Sequence, residues 1–368
     1  MSPNENASWS PEVADSQIKG ACSMATPPLA SRRFFLKIAG SSVAIASLGI
    51  LGSSSTRADQ SDDVPLFRFV QWNDLHVDAR KPSTYLLAND KAAWLIDWIN
   101  SPDRASRYDF VAGIGDLIQG GNLKSLAADT EHFKRMVEGL AIPLRPAVGN
   151  HENVAREGDP IYEKSFCEAF GLKETNYSFR HKGVLFVMLN TSGGPRTKGT
   201  PVRRRRNAWF REVLEASRGT PKIVCCHVPL LPVRDEAVLA KSFGYSGPTA
   251  GDDELLGLVD EHADSIAAVL SGHLHLTGTV QRKGVHHIAI SGTASYPCDF
   301  ATYDVFPDRI RVRIRSLPDE LVTPQTNLHG KPRHKNDYID AAHPTHDAYM
   351  KGVASERDFD MELRPSLK

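Results

Sequence analysis

Leu66 to Trp72 alternates apolar and polar positions and is rich in β-formers, which predicts a strand. Residues 89–99 then carry apolar side chains at helical spacing. Phe110 to Ile114 reads as a second strand, residues 123–140 as a helical stretch and Leu144 to Val148 as a third strand. Tyr177-Ser178-Phe179-Arg180 and Val184 to Leu189, separated by His181-Lys182-Gly183, predict a β-hairpin. A helix over 203–217, a strand over Lys222–Cys226, a helix over 252–262 and a strand over Ile266–Leu270 follow. Val285–Ile290, Thr302–Phe306 and Ile310–Ile314 read as a late set of strands. Early alternation and late hairpins predict an α/β sandwich, two sheets inside helical layers. Periodicity fades after about Leu317, and residues 319–368 are expected to be an extended tail over the surface or a partly disordered end.

The N-terminal segment has a different character. Ser31-Arg32-Arg33-Phe34-Phe35-Leu36-Lys37 precedes an apolar run, Ile38 to Leu51, rich in Ala, Gly and Ser. That run is too short and too weakly hydrophobic to span a bilayer comfortably. Thr56 and Ala58 are small and suit cleavage before Asp59. The order resembles a twin-arginine export signal. The resemblance implies the twin-arginine machinery as a partner and a periplasmic or extracytoplasmic destination. Residues 1–58 are then the signal with a disordered start, and 64–318 the catalytic domain.

Composition adds constraints. The 368 residues leave room for a sizeable core, with 41% hydrophobic residues. Lys+Arg and Asp+Glu both total 44, so no basic coat is present and no stable nucleic-acid partner is expected. Five cysteines, Cys22, Cys167, Cys225, Cys226 and Cys298, show no CxxC spacing, which argues against a structural zinc site. Cys225 and Cys226 read as buried small hydrophobes. An oxidising compartment would permit one disulfide among the others.

The chemistry lies at the strand ends. Asp74-Leu75-His76 follows the first strand and Gly115-Asp116 the second. Gly149-Asn150-His151-Glu152 follows the third. His227 follows Lys222–Cys226, and Gly272-His273-Leu274-His275 follows Ile266–Leu270. Sites in open α/β sheets form at carboxyl strand ends, so these five loops are expected to converge. Carboxylate, imidazole and amide oxygen together suit Mn, Fe or Zn. One intervening residue puts Asp74 with His76, and His273 with His275, on one side of an extended segment. Gly115, Gly149 and Gly272 permit sharp turns and a close approach.

This set resembles the calcineurin-like metallophosphoesterase family over about Phe67 to Ile314. The resemblance implies a four-layer α/β/β/α sandwich, two mixed sheets flanked by helices, and a site for two divalent metal ions. Carried over by position, Asp74, His76 and His275 hold one ion, Asn150, His227 and His273 the other, and Asp116 bridges them. His151 is the implied catalytic residue, stabilising charge or protonating the leaving group while a metal-activated hydroxide attacks phosphorus. Purple acid phosphatases carry a Tyr three residues after the second-loop Asp, where this chain has Gln119. The chain is therefore more similar to the cyclic-nucleotide phosphodiesterase and nucleotide-diphosphatase branches. The substrate implied is a small phosphorylated molecule, with nucleotides among the candidates. A phosphomonoesterase and a non-catalytic metal-binding module on the same fold are the alternatives.

Other positions are read as follows, the first three in two ways each. Arg203-Arg204-Arg205-Arg206 is an anion site at a helix start or a solvated run. Glu152 orients His151 or is an exposed loop carboxylate. Asp78 braces the metal loops or is a surface acid. Asn190-Thr191-Ser192-Gly193-Gly194 reads as a polar loop that could border the site. His286 and His287 fall on opposite faces of a strand and receive no ligand role.

Overall fold

The computed structural model describes residues 64–153, 160–192, 200–243, 247–323 and 338–367. The twin-arginine segment, including Arg32 and Arg33, lies outside them, as do Gly193 and Gly194. The elements run β1 (Phe67–Trp72), α1 (Ala88–Asn100), α2 (Pro102–Ala105), β2 (Phe110–Ile114), α3 (Leu123–Val137), β3 (Leu144–Ala147) and α4 (Pro160–Ala169). They continue with β4 (Tyr177–His181), β5 (Val184–Leu189), α5 (Pro201–Ala216), β6 (Lys222–Cys226), α6 (Glu236–Phe243) and α7 (Asp253–Glu261). The last are β7 (Ile266–Ser271), β8 (Gly278–Arg282), β9 (Val285–Ala289), β10 (Asp299–Val305), β11 (Arg309–Ser316), α8 (His346–Lys351) and β12 (Asp358–Glu362).

One sheet has the order β12-β11-β10-β1-β2-β3 and the other β4-β5-β6-β7-β9-β8. Within them β1, β2 and β3 are parallel, as are β5, β6, β7 and β9, while the remaining pairs are antiparallel. Both sheets are mixed, and helices cover their outer faces, so the four-layer expectation holds. The sheets meet through an inner core that joins Phe67, Phe69, Phe110 and Tyr303 to Phe186, Met188, Cys225 and Leu270. Phe69 stacks on Tyr303 at 4.4 Å between ring centroids and meets Phe186 edge-on at 5.3 Å. Truncating a ring so enclosed costs roughly 3–5 kcal/mol. A second apolar layer seats α1 and α3 on one sheet through Leu95, Ile99, Leu126 and Phe133. A third seats α5 and α7 on the other through Phe210, Leu214, Leu255 and Val259. Local sequence starts these helices: Asn122, Thr200 and Asp252 each accept a backbone N–H from three residues on.

Two expectations need correction. Residues 319–368 are not simply an extended tail, because their described part contains α8 and adds β12 to the first sheet beside β11. The strand Asp-Phe-Asp-Met-Glu hides its pattern because it sits at a sheet edge, where only Met361 is buried and its charges face water or Arg311. The arginine run is split: Arg204 and Arg205 face solvent, as a solvated run would, but the other two do not. It lies inside α5, where Arg203 and Arg206 turn inward and both pair with the carboxylate of Asp252. Cys225, Cys226 and Cys298 are buried free thiols.

Candidate metal centre

The five loops do converge. All follow parallel strands, and backbone bonds lace them together: Asp74 N–H to Gly115 O and His76 N–H to Asp116 O, both at 3.0 Å, and Gly272 N–H to His227 O at 3.0 Å. His273 N–H donates to Asp74 Oδ2 at 2.8 Å, which ties one sheet's loops to the other's. Asp74, His76, Asp116, His273 and His275 all adopt positive φ, between 48° and 72°. A left-handed backbone at a residue other than Gly costs on the order of 1–3 kcal/mol and persists where surroundings force it, often at functional sites. Gly149 and Gly272 are needed for space, since a Cβ there would overlap Asp116 and Asp74 respectively.

The side chains form two overlapping groups. Asp74, His76 and His275 bring ligand atoms within 4.8 Å of one another, as do Asp116, His227 and His273. Asp116 Oδ2 faces His227 Nε2 at 3.1 Å and His76 Nε2 at 3.8 Å, between the two groups. Its other oxygen accepts His151 N–H at 2.9 Å. Asp74 Oδ2 accepts from Asn73 and His273, which leaves Oδ1 facing His275 Nε2 at 3.1 Å.

The imidazoles are oriented from behind. His76 Nδ1 meets Gln119 Oε1 at 3.0 Å, and His227 Nδ1 meets Ile114 O at 2.9 Å. A proton on each Nδ1 leaves Nε2 with a lone pair turned inward. His76 Nε2 stands 3.2 Å from His275 Nε2.

Asp74 Oδ1, Asn150 Oδ1 and His227 Nε2 are buried without a hydrogen-bond partner. The 3.1 Å approach of His227 Nε2 to Asp116 is therefore close but lacks hydrogen-bond geometry. Each orphaned buried group costs roughly 1–3 kcal/mol. Donor atoms crowded around common points and unpaired with each other fit cations of the divalent class.

Charge tells the same story. Burial pushes the Asp116 carboxyl up, but the electrostatic influence of His227 and His151 overturns that and holds it well below the usual range. Burial pushes Asp74 up too, and His227 with His275 brings it below its ordinary value. Burial drives His227 down, yet Asp116 and Asp74 carry it to about 10. The two carboxylates thus call for positive charge at the place that His227 faces. Burial and His227 push His273 down to about 4, and burial and His151 push His76 well below its ordinary value.

His151 borders the cluster, with its side chain 22% exposed and Nε2 4.0 Å from Asp116 Oδ2. Its Nδ1 is held by the Gln119 carbonyl. Glu152 does neither of the things expected of it. It is buried, and its carboxylate accepts the N–H groups of Asp116, Leu117, Ile118 and Gly149, clamping two metal loops together. Burial and nearby Asp116 raise its pKa to about 7. Asp78 is buried and braces its own loop through Arg80 N–H and Thr84 N–H. Of the polar loop after β5, Thr191 is bonded to the Val228 backbone and Ser192 to Asn190 and Asn153. His287 is buried in β9 and His286 pairs with Gln281, away from the cluster.

Sequence reasoning missed Asn73, whose amide positions Asp74 Oδ2, and the double part of Gln119. It also missed Tyr85, whose ring lies 4.5 Å from that of His76 and 5.7 Å from that of His275. Nothing local marks Asn73 or Tyr85. Gln119 stood out only as a departure from Tyr.

The model of calcineurin-like phosphoesterases matches residues 67–276, more than half of the chain. No curated protein sequence matches. Among solved structures, a dimetal phosphatase from Danio rerio is similar, with 17% identity, 68% of this chain and 96% of that chain covered, and a TM-score of 0.50. A purple acid phosphatase from yellow lupin (Lupinus luteus) seeds is similar at 15% identity and a TM-score of 0.50. There the match covers 71% of this chain and 57% of the lupin chain, so this chain spans little more than half of that relative. At these identities the likeness is one of fold.

Proposed function

The chain belongs to the calcineurin-like phosphoesterase family and is a dimetal hydrolase of phosphoester bonds; from that premise we propose that it is a phosphodiesterase acting on cyclic-nucleotide or nucleotide-diphosphate type substrates. Asp74, His76 and His275 would hold one ion and Asn150, His227 and His273 the other, with Asp116 placed to serve both. When bound, the two ions supply Lewis acidity for phosphoryl oxygens and lower the pKa of water to near neutrality. The protein's part is orientation. Gln119 and the Ile114 carbonyl fix the two imidazole tautomers, Asn73 fixes the Asp74 carboxylate, and Glu152 fixes the loop that carries Asp116. His151, anchored through Nδ1 and partly exposed at the rim, turns Nε2 toward the site, where it would stabilise or protonate the departing oxygen.

The observation that carries the diesterase reading is the source of charge around the centre. The ion pairs of Asp74 and Asp116 among the described residues are all with imidazoles, none with Lys or Arg. Two divalent cations against two carboxylates leave a surplus of two positive charges. A diester monoanion and one anionic nucleophile balance that surplus. A monoester dianion exceeds it and calls for a further cation. Metal-reconstituted protein assayed on a panel of mono-, di- and cyclic phosphates tests this. Faster turnover of diesters supports the reading, and a clear preference for monoesters overturns it.

The export assignment belongs to the same proposal. Residues 1–58 act as a twin-arginine signal, and the folded enzyme with its metals crosses to the periplasmic or extracytoplasmic side. The support is the Arg32-Arg33-Phe34-Phe35-Leu36-Lys37 order ahead of a short apolar run. Replacing Arg32 and Arg33 by Lys should retain the protein inside the cell, and normal export of that variant would refute the assignment.

A further inference from the structure

A second cluster of ligating side chains lies at the end of the helical layer outside β6 and β7. His262 caps the C-terminus of α7, Glu261 is the last residue of that helix, and Glu215 sits in the last turn of α5. Their ligand atoms fall within 4.8 Å of one another. The two glutamates are exposed, whereas His262 is 1% exposed. Its Nε2 is buried, has no hydrogen-bond partner and stands 3.5 Å from Glu215 Oε1. A carboxylate cluster alone is commonplace on a surface. A buried imidazole nitrogen aimed into it and left unpaired is not.

We propose that Glu215, Glu261 and His262 bind a zinc-class divalent ion that staples α5 to α7, separate from the catalytic pair. One imidazole and two carboxylates form a donor set suited to zinc, with water completing four-coordination. Zn–N and Zn–O bonds of about 2.0–2.2 Å put tetrahedral ligands about 3.3 Å apart, close to the nitrogen–oxygen separation present here. The helix ends also call for a cation. Both helices aim their C-termini at the cluster, and neither has a basic residue in its last turn. Arg218 follows α5 and pairs with both oxygens of Glu215 at 2.6 Å, and Arg211 approaches Glu261 at 3.7 Å. These arginines partly answer the carboxylates. Each carboxylate oxygen keeps a second lone pair, and these arginines pair with glutamates while His262 Nε2 stays without a hydrogen bond.

The test is metal content and thermal stability of the full chain after zinc loading and exhaustive dialysis. Wild type should retain one more zinc ion per chain than His262→Ala, and its zinc-dependent rise in Tm should be larger. Glu261→Gln, a surface change that leaves the core untouched, should show the same loss. Phosphodiester hydrolysis should be unchanged in both variants, which separates this site from the catalytic one. Equal zinc content in wild type and Glu261→Gln would leave an ion-pair cluster only and overturn the proposal. A variant that lost all zinc together with activity would also overturn it, since the site would then not be separate.

Discussion

Two buried clusters of carboxylates and nitrogen bases can be set side by side. At the metal centre, Asp74 Oδ1 and His227 Nε2 face each other at 3.9 Å without a hydrogen bond, and Asn150 Oδ1 on the loop after β3 is buried and unpaired as well. Near the C-terminal segment, Arg234, Glu356, His343 and Asp340 form a chain in which each group has partners. Arg234 Nη1 donates to Glu356 Oε1 at 3.1 Å, and His343 joins Glu356 Oε2 at 2.9 Å and Asp340 Oδ1 at 2.7 Å. The remaining acceptors take backbone N–H groups of Thr279, Val353 and Asp235. Similar residue types and similar burial thus produce opposite arrangements. The paired chain is a clasp that fastens α8 and its flanks to the strand after the His273–His275 loop, with Arg234 also bonded to Thr277 O and Tyr349 O. The unpaired cluster is a place made for something not supplied by the polypeptide. Burial and composition do not separate site from scaffold here; the state of the donor atoms does.

The comparison can be broken by mutation. Asp116→Asn should lower kcat roughly 10²- to 10³-fold, the scale of losing a central electrostatic stabiliser, with the fold kept. Wild-type rates from that variant would remove Asp116 from the bridging position. Glu356→Ala should do the reverse. Breaking a buried pair costs about 3–5 kcal/mol of stability, read by urea denaturation, with turnover per folded molecule retained. A variant equally stable but inactive would mean that the clasp belongs to the site.

Smaller changes sharpen the contrast. Gln119→Leu removes the partner of His76 Nδ1, and activity or metal affinity should fall about 10- to 100-fold without a matching loss of stability. The clasp should also respond to acid. Burial pushes Asp340 up, but its bonds to His343 and to Asp235 N–H bring it below 3.8. Glu356 is likewise raised by burial and lowered further by Arg234, ending below 4.5. Groups depressed in the folded state add stability above their unfolded pKa and lose it as pH falls through the folded one. Stability should therefore drop as pH falls below those ordinary values. Glu356→Gln should flatten that part of the pH profile, and an unchanged profile would count against the clasp.

What the sequence revealed follows the same division. The strand-end ligands were legible because each stands next to a short apolar run, and strands in parallel deliver their carboxyl ends to one edge. The helix α6 was overlooked although Asp235 accepts Val238 N–H at its start, because the surrounding segment has no long apolar period. Arg203 and Arg206 were misjudged because their partner, Asp252, is far along the chain. Glu152 looked like a partner for its neighbour His151, yet its bonds reach the loop after β2. Local patterns give strands and the residues after them; which buried polar atoms end up paired is decided by distant chain segments.

The most direct test of the two-metal centre is the rate of bis(p-nitrophenyl) phosphate hydrolysis by metal-free protein titrated with Mn. The account predicts no turnover without metal, activity that rises until two catalytic ions are bound per chain, and loss again on chelation. Both ions bound with no hydrolysis, or full activity in metal-free protein, would contradict it.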